Sequence, residues 1–183
     1  MTIVPLWLEP CDLIFTANPT GRFGRLIRWR TRAPVNHVAG VTRPGTLYTA
    51  EILEALHPRA KRWPLGEAYA GEPDLVEIYR PLNLTLGDRE AIVRFALEYE
   101  GRKYGWGKIA LHAFGVPEWA GVERWPICSW IWAQAYFRRG YTFGATRADQ
   151  ADPARMRAFV HDTLGDRYAC LRELAPVPAL EAA

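Results

Sequence analysis

The run Ile-Cys-Ser-Trp-Ile-Trp-Ala-Gln-Ala-Tyr-Phe-Arg-Arg at 127–139 is apolar on nearly every side, ends in basic residues and is followed by Gly140. A helix with that pattern has no face to offer water, so the rest of the chain must enclose it. The terminal arginines complement the negative end of the helix dipole, and glycine is the usual residue just past a helix end. With 183 residues, 49% hydrophobic and 13% aromatic, the chain has material for one core around such a helix.

The first half supplies strands. Asp12-Leu13-Ile14-Phe15-Thr16 is rich in strand formers and runs into the turn-prone Asn18-Pro19-Thr20-Gly21. His37–Val41 and Leu47–Leu53 flank Thr42-Arg43-Pro44-Gly45-Thr46, which predicts a hairpin turning at Pro-Gly. Leu75–Tyr79 alternates as a further strand, ended by Pro81. Between the first two strands, Phe23, Leu26, Ile27 and Trp29 alternate with Arg22, Arg25, Arg28 and Arg32 at a helical spacing. The second half changes period. Thr85-Leu86-Gly87-Asp88 has the form of a capping box, Ile92, Phe95, Ala96 and Tyr99 then share a face, and Gly101 stops the helix. Asp152-Pro153 opens a last helix to about Thr163, before Gly165. The expected class is α+β: an antiparallel sheet packed against the central cysteine-bearing helix, in one domain over 1–174 with a loose tail at 175–183.

Composition removes several function classes. A net charge of +3 with interspersed signs marks no nucleic-acid partner. Three cysteines, Cys11, Cys128 and Cys170, with no Cys-x-x-Cys pair, build neither a disulfide framework nor a zinc cluster, and no cofactor or metal is expected. The amino-terminal residues lack a basic n-region, Pro5 breaks their apolar run, and no stretch of about twenty apolar residues follows. No membrane span and a cytoplasmic setting are therefore expected, with a phage-associated role or export by a non-classical route as the alternative. The pattern carries no signal of oligomeric state.

Within the central helix Cys128 stands out. It follows Pro126 at the helix start, where unpaired backbone N–H groups and the helix dipole favour a thiolate. Thiolate catalysis also needs an imidazole and a group that orients it. Of the four histidines, His57 lies in a polar loop, His161 near the last helix end and His112 in an undefined aromatic stretch; His37 alone begins a strand. The return strand of its hairpin carries two carboxylates. A two-residue turn at Pro44-Gly45 sets His37 against Ile52, beside Glu51, with Glu54 diagonal on the same face; a three-residue loop sets it against Glu51 directly.

Leu8-Glu9-Pro10-Cys11-Asp12-Leu13-Ile14-Phe15, Leu26-Ile27-Arg28-Trp29-Arg30-Thr31 and Asn36-His37-Val38-Ala39, followed in order by Gly101-Arg102-Lys103-Tyr104-Gly105-Trp106, Ile127-Cys128-Ser129 and Asp152-Pro153, resemble the permuted papain-like amidases of the YiiX and YaeF type, relatives of the NlpC-type cell-wall peptidases. The similarity covers roughly residues 8 to 165. It implies a circularly permuted papain-like fold in which the histidine strand precedes the cysteine helix, with Cys128 as nucleophile, His37 as base and a hairpin carboxylate orienting the imidazole. Tyr48-Thr49-Ala50-Glu51 matches the family's carboxylate from the left and Glu54-Ala55 with Pro64-Leu65 from the right; the hairpin count favours Glu51. Two positions depart from the pattern: Cys11 replaces a glycine before Asp12, a change expected to sit harmlessly at a strand edge, and Trp130 replaces the glutamate after Cys-Ser.

The expected activity is cleavage of an amide or peptide bond, of cell-wall or isopeptide type, in a peptide or small amide substrate through a Cys128-His37-Glu51 triad and an acyl-enzyme. Tyr104 is a candidate to line the cleft, and the Cys128 N–H to stabilise the oxyanion. A lipid acyltransferase or thioesterase of the same fold, with Phe114, Trp119 and Trp125 facing lipid, is one alternative. A non-catalytic module binding through Arg22, Arg25 and Arg28 is another.

Overall fold

A computed structural model describes residues 6–17, 32–104 and 128–179. Strand β1 (Trp7–Leu8) leads to β2 (Leu13–Ala17), β3 (His37–Arg43), a two-residue β4 (Gly45–Thr46), β5 (Glu51–Ala55) and β6 (Ala60–Pro64). A short helix α1 (Leu65–Tyr69) and β7 (Leu75–Pro81) follow, then α2 (Leu86–Leu97), α3 (Cys128–Phe137), α4 (Pro153–Asp162) and β8 (Tyr168–Pro176). Six strands form an antiparallel sheet in the order β6-β5-β3-β2-β7-β8, while β1 and β4 pair separately. The α+β class and the antiparallel sheet are as expected from the sequence.

The period-2 alternation sorts the sheet into two buried faces. Leu13, Phe15, Val38, Leu53 and Tyr79 join Ile92 and Ala96 of α2, Ile131, Trp132 and Tyr136 of α3, and Met156 and Val160 of α4 in one cluster. Ile14, Ala39, Val41, Ile52, Val76 and Ile78 face the other way, onto Leu65 and Tyr69 of α1. Helix α3 is buried along most of its length, and packs on β3, β5 and α2. Its enclosure is the condition that its all-round apolar sequence imposes.

Helix boundaries follow the capping chemistry. The Thr85 hydroxyl accepts from the Asp88 N–H at 3.1 Å, and the Asp88 carboxylate reaches back to the Thr85 N–H at 3.3 Å. Asp152 caps α4 by accepting from the Arg155 N–H at 2.8 Å, with Pro153 at the first helical position. Gly101, Gly140 and Gly165 each have a positive φ just beyond a helix.

Several expectations are corrected. The hairpin does not turn at Pro44-Gly45: β3 continues to Arg43, Gly45–Thr46 pairs with Trp7–Leu8, and Leu47–Thr49 form the turn before β5 begins at Glu51. Thr46 and Thr49 close this longer loop through their hydroxyls and the Ala50 N–H to Thr46 C=O bond. Cys11 does not sit at a strand edge. It is fully buried with φ of 72°, in the left-handed region where glycine is at ease, which accounts for the glycine expected at that position. The tail expected from Ala175 is ordered over its first residues: β8 runs to Pro176, and Val177, 1% exposed, accepts from the Gly71 N–H. Strand β8 lacks clean alternation because it lies at the sheet edge, half-exposed. The helix expected over 22–32 lies, apart from Arg32, outside the described residues, as do His112, Phe114, Trp119 and Trp125.

Candidate active site

Close packing between α3 and β3 sets the position of the sulfur. A Cβ placed on Gly40 would lie 2.5 Å from the Trp132 ring, so the glycine is what lets this indole lie flat against the strand. The indole N–H then donates to the Leu53 carbonyl of β5 at 2.9 Å. Cys128 is one turn before Trp132 on the same side of α3. At the corresponding end of β3 stand His37 and Val38: the Cys128 sulfur is within hydrogen-bonding reach of the His37 ring and of the backbone N–H groups of Val38 and Ser129. Trp130, where the resemblance led to the expectation of a glutamate, is 7% exposed and packs edge-on against Tyr99 with ring centres 5.0 Å apart.

The far side of the imidazole meets a carboxylate, and it is Glu54. Glu54 Oε2 lies 2.6 Å from His37 Nε2, and its residue is 0% exposed. The expectation that Glu51 fills this place is corrected: Glu51 bridges Arg43 at 3.1 Å and Arg62 at 3.6 Å at the surface. Register supplies the reason. Ala39 pairs with Glu54, Gly40 with Leu53 and Val41 with Ile52, so Glu54 is diagonal to His37 and on its face, while Glu51, beyond a bulge, is not.

Three donors converge on Glu54: the His37 ring, the Trp63 indole N–H to Oε1 at 2.6 Å, and the Tyr69 hydroxyl to Oε2 at 2.6 Å. Thr16, opposite His37 in the β2–β3 ladder, is within hydrogen-bonding reach of the Tyr69 hydroxyl. An ionised carboxylate only accepts, so Nε2 carries a proton whether the ring is neutral or charged, and Nδ1 is left to face the sulfur. Trp63, Tyr69 and Thr16 were not singled out by sequence. Tyr69 lies on a helix too short to show a period, and the only hint of Trp63 was its place before the Pro64-Leu65 pair that matched Glu54.

The electrostatics are those of an ion pair. Burial disfavours the Cys128 thiolate, but the imidazolium of His37 and the hydrogen bonds to the sulfur outweigh it and pull the thiol below its ordinary range. Burial likewise pushes His37 down, yet Cys128 and Glu54 together hold it up, to about 10. Glu54 is depressed despite burial by His37, Tyr69 and Trp63, in that order. By contrast Cys11 is pushed up to about 12 by burial, and Cys170 is also raised by burial. Tyr104 is half-buried, and burial with the nearby Cys128 charge raises its hydroxyl. Of the other histidines, His161 pairs with the Tyr79 hydroxyl at 2.6 Å and His57 is exposed.

No protein-family profile and no curated protein sequence matches the chain. A solved structure does: the metalloprotein YiiX from Escherichia coli O157:H7 superposes with a TM-score of 0.59 at 18% identity, over 93% of this chain and 89% of that one. The likeness is one of fold, a YiiX-like α+β architecture.

Proposed function

We propose that this chain is a cysteine hydrolase with a permuted papain-like arrangement, cleaving an amide or peptide bond through Cys128, His37 and Glu54. The observation that carries the reading is the buried relay from sulfur to imidazole to carboxylate, on a fold like that of YiiX, with the histidine strand ahead of the cysteine helix. The Cys128 thiolate attacks the substrate carbonyl carbon, forming a C–S bond as the π electrons move to oxygen. The first-turn N–H groups of α3, at the positive end of the helix dipole, are the donors this reading assigns to that oxyanion. His37 gives its Nδ1 proton to the leaving nitrogen, the C–N bond breaks, and a thioester remains. Neutral His37 then takes a proton from water as its oxygen attacks the thioester, and the thiolate departs to restore the ion pair.

The neighbour's description as a metalloprotein does not carry over to this relay. Among the described residues no group of three His, Cys, Asp or Glu side chains converges as metal ligands, and both Glu54 oxygens are taken by His37, Tyr69 and Trp63. No described helix is long and apolar enough to cross a membrane.

The test is alkylation of the folded chain with iodoacetamide, read site by site by mass spectrometry. Cys128 should react at neutral pH at least about tenfold faster than Cys11 and Cys170, whose thiols burial raises. His37→Ala should abolish the difference. Equal labelling of all three cysteines would end the hydrolase reading.

A further inference from the structure

Glu54 poses a problem that the relay alone does not solve. It is fully buried, and among the described residues its cationic contact is the ring of His37. During acyl transfer that ring becomes neutral, because its proton leaves with the amine. A buried carboxylate that loses its cation normally takes up a proton, and protonated Glu54 would present a hydroxyl in place of an acceptor to Nε2.

The remaining donors on Glu54 are built for that interval. The Trp63 indole cannot titrate, and the Tyr69 hydroxyl is held well above its ordinary value by burial and by Glu54 itself. Both therefore donate whatever the charge on His37. They come from separate elements, β6 and α1, and approach different oxygens at 2.6 Å, which fixes the carboxylate plane. Tyr69 is 6% exposed, and the Thr16 hydroxyl within its reach gives the phenol a donor in turn. Over one face of Trp63 lies Lys61, its ammonium 3.6 Å from the ring centre; Asp74 also acts on Tyr69 by its charge.

We propose that Trp63 and Tyr69 are positioning residues that keep Glu54 an anion aimed at His37 Nε2 through the part of the cycle in which His37 is neutral. The proposal rests on the reading of Cys128 as nucleophile. Its corollary is that the imidazole keeps one tautomer throughout, with Nδ1 always toward the sulfur and substrate. Neither residue touches the reacting atoms; both act through Glu54.

The experiment follows the pH dependence of Cys128 alkylation by iodoacetamide in the full chain and in the Tyr69→Phe, Trp63→Phe and Tyr136→Phe variants. Tyr136 is a control of similar burial whose hydroxyl donates to the Cys11 carbonyl at 2.7 Å, away from the relay. Loss of a donor raises the proton affinity of Glu54, and a protonated Glu54 no longer holds the imidazolium, so the acid limb of the Tyr69→Phe profile should move toward higher pH by about one unit, a tenfold slower reaction on that limb. Trp63→Phe should shift it in the same direction. Tyr136→Phe should lower the melting temperature and leave the limb in place. An unmoved limb in Tyr69→Phe, or an equal shift in Tyr136→Phe, overturns the proposal, and Tyr69→Phe alone decides if Trp63→Phe does not fold. A wild-type profile like that of an ordinary thiol, unchanged by His37→Ala, overturns the nucleophile assignment itself and the proposal with it.

Discussion

Two glutamates three positions apart in β5 have opposite fates, and the difference is one of burial. Glu51 is a quarter exposed and shared between two arginines that water also reaches, so Glu51→Gln should change stability by less than about 1 kcal/mol and leave Cys128 reactivity intact. Glu54 is enclosed by three donors. Glu54→Gln leaves one donor facing an amide N–H, a loss of about 1–3 kcal/mol, and removes the charge that holds up His37. Cys128 alkylation at neutral pH should fall at least about tenfold in this variant, and thermal denaturation beside the alkylation rate separates the two effects. In the wild type the sign of the pH dependence follows from the shifts. The depressed Cys128 thiol extends alkylation to pH values below the ordinary thiol range, and the rate should fall on acidification; in the proposed reaction turnover should also decline in alkali as His37 loses its proton at about 10. Cys128 and His37 were legible as candidates because the residue types and the position at a helix start are local properties. The choice of glutamate was not, because it turns on whether odd or even positions of β5 share a face with His37.

At the scale of elements, the contact between α3 and β3 translates sequence into site geometry. Gly40 and Trp132 form a lock: the indole fills the space that a side chain would occupy and bonds across to β5. Gly40→Ala forces the ring back from 2.5 Å, and because a ring in a packed interior has little room, the helix must shift with it. A destabilisation of about 1–3 kcal/mol is expected, with Cys128 alkylation slowed by more than the unfolded fraction accounts for, since the sulfur moves relative to His37. Chemical denaturation and the alkylation rate, measured together, check this. The helices were legible through caps and periodicity, and the capping box at Thr85 and the Pro153 start appear in the structure as the sequence implies. Strand β4 was not, because a two-residue strand has no period and exists only through its pairing with β1. That pairing displaces the turn beyond Pro44-Gly45.

On the scale of the whole molecule, an ionic junction ties the helical layer together. Asp88, in the first turn of α2, receives Arg139 from beyond the end of α3 at 2.6 and 2.9 Å and the Tyr141 hydroxyl at 3.3 Å. Its carboxyl is lowered to about 2, first by the Thr85 hydroxyl and then by Arg139. A depressed folded value means that the stabilisation is present above the unfolded value of 3.8 and is lost as pH falls through about 2. The melting-temperature difference between wild type and Asp88→Asn should therefore be full above pH 5, by about a unit's margin over that unfolded value, and close toward pH 2. A difference independent of pH would mean that the junction acts by shape alone. The sequence by itself determined the α+β class, the buried central helix and its capped neighbours, and it offered Cys128 and His37 as candidate side chains, since periodicity and capping are written within a few residues of each other. Only the tertiary structure decided which carboxylate meets His37, that Trp63 and Tyr69 close around it, and that Gly40 sets the depth of the cysteine helix. Those depend on strand register and on contacts between segments far apart in the chain, which no local pattern encodes.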